Sequence, residues 1–192
     1  DRIKELSKNS IALPELLPPP KYFEQFTGYI KPYKLFGSSE PYDYTQTKDF
    51  LVSKGSSPTV FSKAEEFFAK NLQDLDFPGI DVYNIAGCKL DTQAGYQLGI
   101  FGEIGAIKKA SGDETVPLVS ADYINIPTNN KWYIRNGQHA ELPSTNGVRQ
   151  LITDILTGGP IVIFDNDVSN DSSFCNFKGK EMLWRSPVAV HV

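Results

Sequence analysis

The segment from residue 131 to residue 159 constrains the fold more than any other part of the chain. Residues 131–135, Lys-Trp-Tyr-Ile-Arg, predict a strand. A helix is predicted to begin at Ser144 or Thr145, and its apolar residues recur at the spacing of one helical face: Val148, Leu151, Ile152, Ile155 and Leu156. Gly158-Gly159 ends this helix, as glycine commonly does. A strand followed by an amphipathic helix is typical of layered α/β structures.

The upstream pattern extends this α/β order. Residues 59–75 predict a helix, with a capping box at 62–65 and core residues at Phe61, Ala64, Phe68, Leu72 and Leu75. Residues 80–88 predict a buried strand, and 96–107 predict one further extended segment bent at its glycines. Apolar runs at 161–164, 182–184 and 188–192 are additional strand candidates. The resulting fold class is α/β, with connecting helices covering a parallel sheet and extra β strands at the C-terminal end.

The first third of the chain has a different character. The prolines near residues 13–20 exclude helix and central strand, which leaves an extended connector. Aromatic residues are dense from 22 to 50, but no regular period persists, so an irregular insertion is predicted. It is either a loop region with its own small core or a lid over an apolar cleft. The predicted organisation is a connector and cap at 1–58, a core at 59–164, and a loop plus β segment at 165–192.

Composition excludes several classes of function. The 192 residues carry a net charge of −4 with scattered Lys and Arg, which argues against nucleic acid or an anionic membrane surface as the main partner. No apolar run approaches about 20 residues, so no transmembrane segment is predicted. The charged first residues do not resemble a signal peptide, and they leave the compartment open.

The two cysteines and two histidines limit metal and redox chemistry. Cys88 and Cys175 could form one bridge, but free buried thiols are the favoured prediction, because free Cys often packs as core. No C-x-x-C occurs, which argues against a Cys/His zinc site, and neither a cofactor nor a metal is predicted.

Two turn-forming segments carry the residues suited to proton chemistry. Asp113 lies within 111–118, and His139 follows the predicted strand 131–135. Functional groups in open α/β sheets lie on loops after the carboxyl ends of strands. A carboxylate that orients a histidine forms the general-base half of a nucleophilic hydrolase, and α/β-hydrolases place the acid before the histidine in the chain.

Residues 111–118, Ser-Gly-Asp-Glu-Thr-Val-Pro-Leu, resemble the acid-bearing segment of the lecithin–cholesterol acyltransferase-like lipases. The resemblance implies that Asp113 is the acid of a catalytic triad and that His139, in a His-x-x-Leu segment with Leu142, is the base. Residues 84–87 resemble the strand before the acid loop, 10–18 resemble the family's Leu-Leu-Pro segment, and 42–55 resemble part of its cap. The similarity covers roughly 10–160. It implies the C-terminal part of an α/β-hydrolase that acts on a lipid or another apolar ester.

One feature of that family is missing. No serine here lies in a G-x-S-x-G elbow, and Ser38, Ser39, Ser56 and Ser57 lie in predicted loops. The chain is therefore expected to be the cap and C-terminal part of a longer lipase or acyltransferase. It is expected to be inactive alone, because the nucleophile belongs to the missing N-terminal part.

Other interpretations stay open. Asp113 and His139 could be structural, in a non-catalytic binding or interaction domain. Glu114, Asp91 and Asp122 are alternative acids, and His191 fits a strand position. The alternating oxygen side chains at 165–171 suggest calcium, but the EF-hand glycine and glutamate are absent, which favours a solvated turn.

Overall fold

The computed structural model describes residues 18–25, 28–36, 39–71, 78–163 and 165–176. The segment 10–17, the predicted strands at 182–184 and 188–192, and His191 lie outside these ranges. The helices are α1 Pro20–Gln25, α2 Tyr44–Ser53, α3 Pro58–Asn71, α4 Leu118–Ala121 and α5 Asn146–Thr157. The strands are β1 Ile30–Lys31, β2 Asn84–Cys88, β3 Leu90–Leu98, β4 Ile104–Gly112, β5 Lys131–Arg135 and β6 Val168–Ser169.

Strands β2, β5 and β6 form one small mixed sheet, here called the site sheet. β2 and β5 are parallel, with Asn84 opposite Lys131 and Cys88 opposite Arg135, while β6 is antiparallel to β5. The apolar face of α5 covers this sheet in one buried cluster: Trp132, Ile134, Val148, Leu151 and Val168. The α/β class and the strand at 131–135 that were predicted from the sequence are confirmed, but the predicted parallel sheet is replaced by two small mixed sheets.

Both long helices were located correctly, and each begins within a residue of its predicted start, but the predicted capping box of α3 is wrong. α5 ends at Gly158, whose φ of 66° lies in the left-handed region. α3 begins at Pro58, because the proline ring suits the first turn of a helix. Ser62 therefore lies inside α3, and the capping box predicted there is wrong. The predicted core residues Phe61, Ala64 and Phe68 are buried, whereas 72–75 lie outside the described ranges.

Strands β1, β3 and β4 form a second sheet, here called the hairpin sheet. β3 and β4 are antiparallel from Leu90 opposite Gly112 to Leu98 opposite Ile104. The prediction of one extended segment at 96–107 is wrong, because the chain reverses between these strands. Gly102, at φ 73°, adopts the left-handed conformation in that reversal. β1, from the predicted cap, pairs in parallel with β3.

The aromatic region has more regular structure than the sequence predicted. α2 begins with a capping box, in which Asp43 accepts from the Gln46 amide and the Gln46 side chain accepts from the Asp43 amide. Aromatic rings pack edge to face around Phe23, which contacts Tyr22, Tyr29 and Tyr44. These rings form the small core that was one of the two interpretations of residues 22–50.

Cys88 and Cys175 form a disulfide, so the preference for free thiols is wrong. Cys88 ends β2, and Cys175 lies in a 3₁₀ turn, Ser172–Cys175, that packs beside Tyr133 of β5. Their Cα atoms are 5.7 Å apart although 87 residues separate them in the chain. A separation of this length hides the pairing from sequence reasoning, because the fold alone brings the two residues together.

Residues 161–163 form no strand, contrary to the prediction. Instead the amide of Val162 donates to the Asp154 carboxylate at 3.1 Å, so its hydrogen bond goes to α5 rather than to a neighbouring strand. Among the described residues, no helix is long and apolar enough to cross a membrane.

Candidate active site

The acid loop follows directly from β4 and is held by its own backbone. The carboxylate oxygen Oδ1 of Asp113 accepts from the amides of Thr115, at 3.0 Å, and Val116, at 2.6 Å. The amide of Glu114, whose φ is 77°, donates to the buried Thr92 hydroxyl at 2.8 Å. These contacts define the direction in which the Asp113 side chain leaves the loop.

The histidine loop follows from β5 and is tied to the acid loop by its backbone. The Asn136 amide donates to the Cys88 carbonyl at 2.8 Å, which extends the pairing of β2 with β5. The amide of His139 donates to the carbonyl of Asp113 at 3.0 Å, and the amide of Leu142 donates to Gln138. A backbone hydrogen bond therefore connects the two loops in addition to the contact between the Asp113 and His139 side chains.

The structure brings Asp113 and His139 together. Nδ1 of His139 lies 2.8 Å from Oδ2 of Asp113. The Asp113 side chain is 6% exposed, whereas the His139 side chain is 51% exposed. The carboxylate is thus enclosed by protein, and the imidazole that it holds faces outward.

This arrangement defines which imidazole nitrogen can act as a base. A carboxylate oxygen only accepts hydrogen bonds, so Nδ1 of His139 donates its proton to Asp113. In the neutral ring Nε2 is then the unprotonated nitrogen. The negative charge of Asp113 would also stabilise the imidazolium formed when Nε2 takes up a proton.

Gly87 on β2 lies where the two loops approach most closely, a role that sequence reasoning missed. A Cβ at this position would lie 2.6 Å from the Asp113 Cβ, 2.7 Å from the Gly137 carbonyl oxygen and 3.2 Å from Leu142. Only glycine leaves room for all three neighbours. The signal in the sequence was the glycine near the end of a buried strand.

The alternative acids lie elsewhere or have other partners. Asp91 forms an exposed ion pair with Lys109 at 3.3 Å. Asp122 accepts from the hydroxyl of Tyr133 at 3.0 Å and, with burial, helps to raise the pKa of that phenol. Glu114 is exposed. None of these carboxylates hydrogen-bonds His139 in the described part of the chain.

The alternating oxygens at 165–171 serve local structure. Asp165 accepts from the Asp167 amide, Asp167 pairs with Arg135 at 2.7 Å, and Asp171 accepts from the amide of Ser173. The described residues contain no group of three His, Cys, Asp or Glu side chains arranged to hold a metal ion.

Two of the clefts on the surface of the described residues bear on where a substrate could bind. One, of about 580 Å³, lies between α5 and residues 161–163 and 165–168. The other, of about 410 Å³, is lined by Glu114, Thr115 and Pro117 of the acid loop and by Tyr22 and Tyr29 of the aromatic region. Neither Asp113 nor His139 lines either cleft, but the smaller one adjoins the Asp113 loop and is therefore the better candidate for a substrate site.

Comparison with known proteins adds no family name. No family model matches the chain, and no curated protein matches it significantly.

Within the described residues, no serine hydroxyl hydrogen-bonds the His139 ring.

Proposed function

We propose that this chain is the cap and C-terminal part of a serine α/β-hydrolase, a lipase or acyltransferase acting on lipid-like esters. The observation that supports it best is the Asp113–His139 pair, with a 2.8 Å contact, an enclosed carboxylate and an exposed imidazole. In this role Asp113 holds the tautomer, and Nε2 of His139 takes the proton from a serine hydroxyl. Water or an alcohol then receives the acyl group.

The nucleophile is proposed to come from the N-terminal part of the same protein. The acid loop precedes the histidine loop in the chain, which is the order that α/β-hydrolases use after their nucleophile. The site sheet also supports this proposal. In the described structure β2 pairs with β5 on one side and with no strand on the other, although its last three residues are buried. That side of β2 is suited to a strand from the missing part.

The apolar side of the substrate is proposed to occupy the cleft between the acid loop and the aromatic region. Rings from Tyr22 and Tyr29 form one wall, and the acid loop at Thr115 and Pro117 forms another. Gln93, Glu114 and Ser120 also line this cleft, so it offers polar groups for the ester beside the aromatic rings. The aromatic region would then act as a lid as well as a small core.

The test is a kinetic comparison in the full-length parent protein. We expect Asp113→Asn and His139→Ala each to lower kcat/KM for an ester substrate by several orders of magnitude, on the order of 10⁴-fold. Asp113→Asn is the sharper variant, since its amide oxygen can still accept from Thr115 and Val116 while its NH₂ group disfavours the working histidine tautomer.

Asp91→Asn is the matched control, because it removes a carboxylate that forms only an exposed ion pair. We expect this control to retain ester hydrolysis within a few fold of the parent. Activity of Asp113→Asn and His139→Ala at the level of the control would overturn the proposal and favour a non-catalytic binding domain.

A further inference from the structure

Exposed apolar side chains concentrate at the turn of the hairpin sheet. Of the twelve large hydrophobic residues that are exposed in the described structure, six belong to this turn, to the first residue of β4 or to the loop after β1. They are Tyr33, Leu35, Phe36, Ile100, Phe101 and Ile104, here called the hairpin patch. Phe101 is 89% exposed and Phe36 is 81% exposed, which is unusual for neighbouring chain segments on a protein surface.

Backbone pairing brings both segments of the patch to the same end of the sheet. β1 runs parallel to β3, with Lys31 opposite Gln97. The Gln97 side chain donates to the carbonyls of Lys31 and Pro32, which directs the following loop toward the turn. The turn is itself ordered, because the amide of Gly99 donates to the Glu103 carbonyl at 2.8 Å.

Lysine side chains lie beside this patch, although the chain as a whole is negative. The Nζ atom of Lys54 lies 3.6 Å from the position that a Cβ on Gly102 would occupy. Lys31 and the exposed Lys34 lie on the adjoining strand and loop. Glu103 is the acid of the turn, and its carboxylate accepts from the Phe101 amide. The net charge of −4 therefore does not describe this end of the molecule.

We propose that the hairpin patch docks on the surface of a phospholipid membrane. Ile100 and Phe101 enter the boundary between headgroups and acyl chains, while the lysine side chains face the phosphates. Apolar side chains at a tip with cations beside them match the two attractions that hold interfacial segments on lipid. The choice of lipid as occupant rests partly on the proposed function, which requires a lipid substrate.

Pairing with another protein strand fits this patch less well. The edge strands of the hairpin sheet are β1 and β4, but Ile100 and Phe101 lie in the turn between β3 and β4 rather than on either edge. A strand added to β4 would leave them uncovered.

The tip is also separated from Asp113 by the length of β4, on the order of 30 Å at ~3.3 Å per residue. Substitutions at the tip therefore test docking without touching the candidate active site.

The experiment measures binding of the full-length protein to phosphatidylcholine vesicles with and without phosphatidylserine. The test variant carries Ile100→Ser and Phe101→Ser. Because burying one such side chain changes partitioning by about tenfold or more, we expect the double variant to bind at least tenfold more weakly. Leu156→Ser is the matched control, since Leu156 is 81% exposed on α5, away from the turn. Phosphatidylserine should strengthen parent binding, and added salt should reverse that gain.

Three results would overturn the proposal: no vesicle binding by the parent, binding by the double variant within twofold of the Leu156→Ser control, or a parent dimer that the double variant converts to monomer. The last result would identify the patch as an interface between copies. Asp113→Asn separates this proposal from the proposed function, because a variant that loses ester hydrolysis should still bind vesicles like the parent.

Discussion

The two sheets of this protein have three strands each, but they differ in how far their residues are buried. The site sheet has short strands, a disulfide and a helix that buries one face, so that its central residues Trp132, Tyr133 and Ile134 are nearly inaccessible. The hairpin sheet has two nine-residue strands, and β4 is largely exposed along its outer half. Burial holds the first sheet in place, whereas the second reaches into solvent.

The candidate active site lies where one sheet leads into the other. β2 of the site sheet passes into β3 through Lys89, whose amide donates to the Ser111 hydroxyl at 2.8 Å. β4 returns along β3 and delivers Asp113 beside Gly87. The hairpin therefore begins and ends at the rigid sheet, and its exposed tip can vary without moving the acid. The comparison predicts large effects at the junction and small ones at the tip.

The disulfide should produce the largest change in stability. Replacing Cys88 and Cys175 by Ala removes a link between residues that are 87 positions apart, and the loop-closure model predicts that its loss lowers stability by about 4.6 kcal/mol. Phe101→Ser, at the exposed hairpin tip, should alter the free energy of unfolding by no more than about 0.5 kcal/mol. Urea unfolding of both variants checks this contrast. Equal stability of the two variants would mean that the disulfide contributes nothing to the site sheet.

Gly87→Ala tests the junction itself. The added methyl group would meet the Asp113 Cβ at 2.6 Å and the Gly137 carbonyl at 2.7 Å, so one of the two loops must move. We expect a loss of about 1–3 kcal/mol in stability and a fall in kcat/KM of about 10²-fold, because small displacements of catalytic groups are costly.

Gly159→Ala is the matched control for this substitution. A Cβ added at Gly159 would have the Thr157 hydroxyl as its nearest neighbour, at 3.6 Å, which is an ordinary contact distance. Unfolding and ester hydrolysis should both stay close to the parent values. If Gly87→Ala behaves in the same way, the close approach of the three segments does not position the acid.

The smallest effect concerns the aromatic region and arises only in alkaline solution. Burial, followed by the nearby phenols of Tyr96 and Tyr22, raises the pKa of Tyr29 from 10.0 to about 12. The neutral phenol is therefore favoured in the folded state. The stability it contributes is complete below pH 10 and is lost as the pH rises through about 12. Unfolding midpoints should fall less steeply in Tyr29→Phe over this range than in Tyr33→Phe, a variant at an exposed ring. Parallel pH profiles would contradict this assignment.

Sequence reasoning succeeded where local pattern decides structure. The strand at 131–135 and the helix that ends at Gly158 follow from periodicity and a glycine cap. It failed where the chain offered two local solutions. The glycines at 99, 102 and 105 suit bends or a reversal equally well, and the capping box at Ser62 competed with Pro58. Short apolar runs such as 161–163 do not distinguish a strand from an irregular segment.

The residues of the candidate site also fall into those that the sequence revealed and those that it did not. Asp113 and His139 were found through chain order and resemblance, because the residue types and their turns are visible in the sequence. The role of Gly87 was not found, because this role depends on the approach of Asp113, Gly137 and Leu142 to one strand from separate loops. The disulfide depends likewise on a distant turn reaching β2.

Labelling of the full-length parent protein with a fluorophosphonate, which reacts with activated serines, tests whether Asp113 and His139 serve a serine nucleophile. We expect peptide mass spectrometry to find the label on one serine in the part of the protein that precedes residue 1. His139→Ala should abolish the label, whereas Asp91→Asn should retain it. Labelling that survives His139→Ala, or a parent protein that takes up no label, would contradict the assignment of Asp113 and His139 as the acid and base of a serine hydrolase.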